Sequence, residues 1–201
     1  MLSKLKKIIP TISRIINYQC YRLVLGGFGK GSQLLTVNSI EFPKNIFIGS
    51  NVLIRKFAWL AANPLTGNKN CKLIIGDGTY IGNYAHFYAT SKIEIARKVI
   101  IADRVYISDN SHGYKNINLP VIDQPITQLQ EVLIDEGAWL GENVCIVGAS
   151  VGKNCVIGAN SVVTKNIPDY CIAVGMPAKV IKRFCFERND WFKTDAEGKF
   201  I

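Results

Sequence analysis

Aliphatic residues recur at every sixth position along the middle of the chain. The residue after each of them is often small, as at Gly49, Gly76 and Gly82. The recurring positions are Ile48, Ile54 and Leu60; Ile75, Ile81, Phe87 and Ile93; Ile95, Ile101 and Ile107; Ile134, Leu140 and Ile146; and Val151, Ile157 and Val163. An α-helix repeats every 3.6 residues and a single strand every two, so neither explains this spacing. A succession of short strands joined by tight turns does explain a period of six residues.

The six-residue repeat predicts an all-β fold of stacked coils, a parallel β-helix. Each hexapeptide would form one side of a coil, and its aliphatic residue would point inward onto its equivalents in the coils above and below. The small residue that follows lets the chain turn the corner. Because one coil cannot bury its apolar side alone, several coils must stack.

The repeat is lost between Ile107 and Ile134, where two prolines and several asparagines interrupt it. We predict a loop excursion over residues 113–131, within a β-helix domain of residues 31–180. Long irregular loops in compact domains are usually functional. The excursion starts directly after His112, in the sequence SDNSHGY.

His112 is one of only two histidines in the chain, and His86 is the other. A histidine titrates near neutral pH and can take a proton from a hydroxyl group. Asp109 is placed to accept a hydrogen bond from the second ring nitrogen of His112 and fix its tautomer. Two alternatives stay open from the residues alone. His112 could be a solvent-exposed turn residue, and a backbone carbonyl could orient it in place of Asp109.

Both ends of the chain lie outside the repeat. Residues 1–30 predict a basic amphipathic helical segment, with Pro10 opening a second helix. Such a helix suits contact with an anionic membrane surface, and it equally suits a cap on the β-helix. Residues 181–201 predict a terminal hairpin with its turn at Asn189 and Asp190, followed by a tail.

Composition narrows the choice of function. The chain has 201 residues, 48% of them hydrophobic, and a net charge of +9, which fits one folded domain with an anionic partner. Nucleic acid is disfavoured, because the basic residues are dispersed and no binding motif accompanies them. No apolar stretch is long enough for a transmembrane helix. The six cysteines include no CxxC pair, which favours reduced thiols and implies no metal site. We therefore expect a cytoplasmic protein that is at most peripheral at the inner face of the membrane.

Two stretches carry a family resemblance. IGDGTYIGNYA and AWLGENVCIVGASVGKNCVIGANSVVTKNIPDYCIAVGMPAKVIKR are similar to hexapeptide-repeat acetyltransferases. They most resemble the branch of the maltose, galactoside and nodulation-factor acetyltransferases, and within it the capsule and lipopolysaccharide O-acetyltransferases. The resemblance spans about residues 40–185. It implies a left-handed β-helix that assembles as a homotrimer, with active sites between subunits.

The resemblance also implies roles for individual residues. His112 would be the general base. The residues expected along the acetyl-CoA groove are Trp139 at the thiol end, Ala159 and Thr164 beside the pantetheine arm, and Lys165, Lys179, Lys182 and Arg183 near the phosphates. His86 and Tyr114 are candidate acceptor contacts, and a histidine on the coil surface is the alternative for His86. IVGASVG is one residue shorter than the family pattern, so we expect the coil to tighten there, with Gly148 the candidate position.

The sequence therefore predicts an acetyl-CoA-dependent O-acetyltransferase that acts on a sugar hydroxyl of a surface polysaccharide or its precursor. Direct transfer assisted by His112 would need neither an acyl-enzyme nor a metal. A small acceptor, such as an antibiotic, an amino sugar or serine, is the alternative within the enzyme class. A non-catalytic β-helix that serves assembly is the alternative outside it. A β-helical carbonic anhydrase is excluded, since it needs three histidines on zinc and the chain has two.

Overall fold

The chain winds through three short strands per coil, and equivalent strands of successive coils pair side by side. The computed structural model describes residues 18–195 and 198–201. In chain order the strands are β1 (Gly27–Phe28), β2 (Gln33–Leu34), β3 (Val37–Glu41), β4 (Ile46–Ile48), β5 (Leu53–Ile54), β6 (Ala58–Ala62), β7 (Lys72–Ile75), β8 (Tyr80–Ile81), β9 (His86–Ala89), β10 (Lys92–Ile95), β11 (Ile100–Ile101), β12 (Tyr106–Ser108), β13 (Asn110–His112), β14 (Ile126–Gln128), β15 (Val132–Ile134), β16 (Trp139–Leu140), β17 (Cys145–Val147), β18 (Val156–Ile157), β19 (Val162–Val163), β20 (Cys171–Val174), β21 (Lys179–Cys185) and β22 (Asp190–Lys193). Short 3-10 turns occupy Pro43–Asn45 and Val121–Asp123.

Three sheets form the sides of a triangular prism. Sheet A contains β1, β4, β7, β10 and β15, in that order. Sheet B contains β2, β5, β8, β11, β16, β18, β20, β21 and β22, and sheet C contains β3, β6, β9, β12, β17 and β19. The chain visits A, B and C in turn, and the pairing between coils is parallel. This is the predicted left-handed β-helix.

The aliphatic residues of the repeat fill the interior of the prism. In sheet A, Ile48, Ile75, Ile95 and Ile134 are successive register partners, and each is at most 3% exposed. Burial of one such side chain stabilises the fold by about 1.5–3 kcal/mol. Because the strands β1–β20 are two to five residues long, the stacked side chains contribute most of the cohesion between coils.

The shortened segment IVGASVG tightens its coil, as expected. Gly148 adopts φ +54°, in the left-handed region, and a Cβ there would lie 2.7 Å from the Cβ of Leu129. In this coil the strand of sheet A is reduced to one residue, Val151, which forms parallel bridges with Ile134 and Ile167. The repeat therefore continues across the deletion without losing its register.

The excursion leaves the coil after Ser108 and returns at β15. Its base is a two-stranded antiparallel ribbon of β13 and β14, so the ribbon includes His112 and starts before the predicted loop of 113–131. The chain ends in the predicted hairpin, where β21 and β22 pair antiparallel and Phe184 lies opposite Trp191.

A short helical segment covers the first coil. Residues 18–24 are helical, and the rings of Tyr18 and Tyr21 lie 5.6 and 5.7 Å from that of Phe28. Residues 1–17, with most of the predicted amphipathic segment, lie outside the described part, so the membrane contact stays a prediction. Within the described residues, no helix is long and apolar enough to cross a bilayer.

Candidate active site

A row of outward-facing side chains crosses sheet B from coil to coil. Ile100, Trp139, Val156 and Ile172 are successive register partners on β11, β16, β18 and β20. The residue after each of them is buried in the interior, and side chains alternate along a strand, so this row faces outward. Ile100 is 52% exposed and Trp139 is 50% exposed. Val156 and Ile172 are half-buried, and an outward-facing apolar strip of this kind is typical of a binding surface.

The row becomes basic at the C-terminal end of the prism. Ile172 pairs with Lys182 on β21, and Lys182 pairs with Lys193 on β22. Neighbouring strands lie roughly 4.8 Å apart, which separates the backbones of Trp139 and Lys182 by about 14 Å. The sheet B row is therefore Ile100, Trp139, Val156, Ile172, Lys182 and Lys193. Lys193 was not among the residues predicted for the groove. Its outward position could have been predicted from the alternation of apolar and polar residues on either side of the turn at Asn189 and Asp190.

The other residues predicted for the acetyl-CoA groove are divided between two parts of the prism. Lys179 begins β21 in sheet B, and Ala159 lies exposed in the turn between sheets B and C. Thr164 and Lys165 are exposed after β19, at the corner between sheets C and A. The structure therefore brings Trp139 and Lys182 into one row but does not bring Thr164 and Lys165 to it.

His112 lies at the same corner as Thr164 and Lys165. It ends β13, opposite Ile126, and its side chain is exposed. The amide of Gln130, just after β14, donates a hydrogen bond to the side-chain oxygen of Asn166. The base of the excursion thus adjoins the segment that carries Lys165.

Asp109 is placed differently from the prediction. Its carboxylate is fully buried and accepts hydrogen bonds from the backbone N–H groups of Thr90, Ser91 and Lys92, at 2.7, 2.7 and 2.8 Å. The Thr90 hydroxyl and the Asn110 amide donate to it as well. Within the described chain, the partners of this carboxylate are the turn beneath the excursion and the neighbouring Asn110, and they do not include the His112 ring. Asp109 anchors the excursion instead of orienting the imidazole.

His86 belongs to an aromatic cluster on the outer face of sheet C. Its ring stacks on that of Trp59 at 4.3 Å with an interplanar angle of 10°, and it meets the edge of Tyr106 at 5.1 Å. Burial lowers the pKa of His86 below its usual 6.5, and the Glu41 carboxylate acts in the opposite direction. A lowered pKa favours the neutral ring at neutral pH. His86 is thus a half-buried residue on the outer face of sheet C.

The excursion borders this aromatic surface. The Asn110 side-chain amide donates to the backbone carbonyl of Tyr88, two residues after His86 on β9. Tyr114 is 71% exposed on the excursion, and Ile117 and Ile122 beyond it are 93% and 81% exposed. An isolated chain thus presents apolar loop side chains beside its candidate acceptor residues.

His112 and the sheet B row lie on opposite sides of one chain. The corner between sheets C and A faces away from sheet B in a triangular prism, and His112 projects from that corner. Trp139 and Lys182 project from sheet B. A site that contains both His112 and the row therefore requires the corner of one chain to meet the sheet B face of another.

Comparison with protein families matches residues 131–165 to the hexapeptide repeat of succinyl-transferase. The chain is similar to a putative lipopolysaccharide biosynthesis O-acetyl transferase, WbbJ, of Escherichia coli K12. The two are 29% identical over 188 residues, which cover 90% of this chain and 84% of that protein.

Solved structures share the fold. AntD, an N-acyltransferase from Bacillus cereus solved as a mutant with dTDP and coenzyme A, superposes with a TM-score of 0.70 at 21% identity, over 85% of this chain and 90% of that one. A hexapeptide-repeat acetyltransferase from Vibrio cholerae, complexed with acetyl coenzyme A, has a TM-score of 0.58 at 22% identity, over 83% and 75%.

Proposed function

We propose that this chain, which is similar to hexapeptide-repeat acetyltransferases, transfers an acetyl group from acetyl-CoA to a sugar hydroxyl of a surface polysaccharide or its precursor. The observation that carries the proposal is the chemical order of the sheet B row. An exposed tryptophan is followed by an aliphatic strip and then by two lysines. Acetyl-CoA has the matching order of a thioester, a neutral arm and an anionic phosphate end.

The row binds the donor by complementarity along its length. Trp139 packs against the thioester end, and Val156 and Ile172 contact the pantetheine arm. Lys182 and Lys193 attract the phosphates, since both ammonium groups project from the same face of neighbouring strands. The V. cholerae relative of this fold was solved with acetyl coenzyme A bound, which supports the choice of donor.

His112 acts as the general base. Its ring nitrogen takes the proton of the acceptor hydroxyl while that oxygen bonds to the thioester carbonyl carbon. The carbon–sulfur bond then breaks, and the coenzyme A thiolate leaves and takes up the proton. The products are an acetyl ester and free coenzyme A. Because both substrates bind at once, proximity replaces an acyl-enzyme intermediate.

The acceptor lies beside the aromatic face of sheet C. His86 and Tyr106 offer half-buried rings close to the start of the excursion, and Tyr114 is exposed on the excursion itself. Ligand pockets combine apolar walls with a few polar groups in this way. The relatives point to sugars: WbbJ is named for lipopolysaccharide biosynthesis, and AntD was solved with a dTDP-aminosugar.

The complete site forms between copies of the chain in a homotrimer. His112 and the sheet B row cannot meet within one prism, whereas a cyclic arrangement brings the corner of each copy onto the sheet B face of the next. The same contact covers Ile117 and Ile122, which are highly exposed in the single chain.

An acceptor screen tests the proposed function. Purified protein is incubated with acetyl-CoA and, separately, nucleotide sugars, oligosaccharide fragments, serine and an aminoglycoside, while thiol release and product mass are followed. Turnover on sugars, with the acetyl group on oxygen, is the expected result. Turnover only on serine or the aminoglycoside would favour the small-acceptor alternative. Failure of acetyl-CoA to bind in calorimetry would contradict the donor assignment and favour the assembly protein.

A further inference from the structure

A buried polar cluster lies beneath the excursion that carries His112. Its centre is the Asp109 carboxylate, which is 0% exposed. One carboxylate oxygen accepts from the N–H of Thr90 at 2.7 Å, and the other accepts from the N–H groups of Ser91 and Lys92 at 2.7 and 2.8 Å. This arrangement ties the first residue of the excursion to the turn of the preceding coil.

Gln128 closes the cluster from the returning strand. Its amide nitrogen donates to the carbonyl oxygens of Asp109, at 2.7 Å, and Leu129, at 3.0 Å. Its amide oxygen accepts from the Thr66 hydroxyl at 2.6 Å and lies 3.0 Å from the Thr90 hydroxyl, whose single proton it shares with the Asp109 carboxylate. An amide side chain offers two donors and two acceptor positions, so Gln128 uses all four. It joins both strands of the excursion to two earlier turns.

The ribbon itself is too small to fix the position of His112. β13 and β14 share three residue pairs: Asn110 with Gln128, Ser111 with Thr127, and His112 with Ile126. An isolated two-stranded ribbon is only marginally stable in water. Its direction relative to the prism is therefore set where it joins the coil, and Asp109 and Gln128 occupy that junction.

We propose that Gln128, together with Asp109, is a positioning residue for His112. This inference rests on the proposed function, in which His112 is the general base. Gln128 holds β13 at its start, two residue pairs from His112, and so fixes the distance of the imidazole from the donor bound to the neighbouring copy. A displacement of about 1 Å can lower the rate of an enzyme about 100-fold.

The experiment compares Gln128→Met with Gln19→Met in the full-length protein. Both substitutions replace an amide with an apolar side chain of similar length, but Gln19 is exposed in the helical segment over the first coil, at the other end of the prism. Each is made in the wild-type and His112→Ala backgrounds. The measurements are kcat and KM for acetyl-CoA with an acceptor used by the wild type, and amide hydrogen exchange over residues 110–128. Thr66→Val, which removes one hydrogen bond to Gln128, replaces Gln128→Met if that variant does not fold.

We expect Gln128→Met to lower kcat by about 10- to 100-fold with little change in KM for acetyl-CoA, and to speed exchange in the ribbon. Gln19→Met should match the wild type. In the His112→Ala background the Gln128 substitution should add no further loss, since there is no base left to misplace. A kcat within twofold of wild type, or an equal loss in the His112→Ala background, would overturn the inference. A fully active His112→Ala single variant would instead remove the base assignment itself.

Discussion

The sheet B row and the excursion both hold side chains in defined positions, but they do so through different interactions. Trp139, Val156 and Ile172 hold their positions because each precedes a buried residue in a stacked coil. The excursion that carries His112 is joined to the coil through individual hydrogen bonds of a buried carboxylate and a half-buried amide. The row is built by many equivalent apolar contacts, and the excursion by a few polar ones that cannot replace each other.

The difference has consequences for how each region responds to change. Losing one polar contact in the excursion leaves buried partners unsatisfied, which costs about 1–3 kcal/mol each. Losing one outward side chain from the row removes only the proposed contact with the donor and leaves the buried contacts of the coil in place. Substitutions in the excursion should therefore affect the chemical step, and substitutions in the row should affect donor binding.

The largest effect is expected for the base. His112→Ala should lower kcat by about 10²- to 10⁴-fold, because proton transfer from the acceptor hydroxyl loses its catalyst. Its dissociation constant for acetyl-CoA, measured by calorimetry, should stay within a few-fold of the wild-type value. A variant with near-normal turnover would end the assignment of His112 as the base.

The second prediction concerns the stability of the stacked coils. Ile134→Ala should lower the free energy of unfolding by about 2–5 kcal/mol, since the side chain is fully buried between two coils. Urea-induced unfolding measures this loss. Leu133→Ala, one residue earlier and 38% exposed, is the control. Equal losses of unfolding free energy for the two variants would mean that the stacked interior side chains do not stabilise the coils.

A smaller effect is expected at the basic end of the row. The double variant Lys182→Glu, Lys193→Glu should weaken acetyl-CoA binding by about 10- to 100-fold, or about 1.4–2.8 kcal/mol. The difference should shrink as salt is raised, because exposed charges are screened. Lys30→Glu, in the first coil at the other end of the prism, should bind normally. Unchanged affinity in the double variant would remove both lysines from the donor site.

The smallest effect concerns His86. Its pKa is lowered by burial, so below the usual 6.5 the unfolded chain binds a proton that the folded chain does not. The unfolded state then gains stability as the pH falls through 6.5 toward the lowered folded value, and the protein becomes less stable. Unfolding midpoints of the wild type should fall in this window more than those of His86→Gln. Parallel pH profiles for the two proteins would contradict the lowered pKa.

The sequence predicted the periodic part of the molecule better than the aperiodic part. The six-residue spacing placed Ile75, Ile95 and Ile134 in the interior, and the structure confirms each of them. The spacing carries no information about the excursion, where the repeat stops. Asp109 was therefore predicted to bond to His112, and the hydrogen bonds of Gln128 were not predicted. Their contacts join turns separated by up to 62 residues, and no local pattern records such a connection.

The central claim is that the base and the donor row of one site come from different copies of the chain, and subunit complementation tests it directly. His112→Ala and Trp139→Ala proteins are unfolded together, refolded as a mixture, and assayed for thiol release with an acceptor that the wild type uses. Each variant alone should be nearly inactive. The mixture should recover about a quarter of wild-type activity, because random association leaves that share of sites with both residues intact. A mixture no more active than the two variants measured separately would contradict the claim.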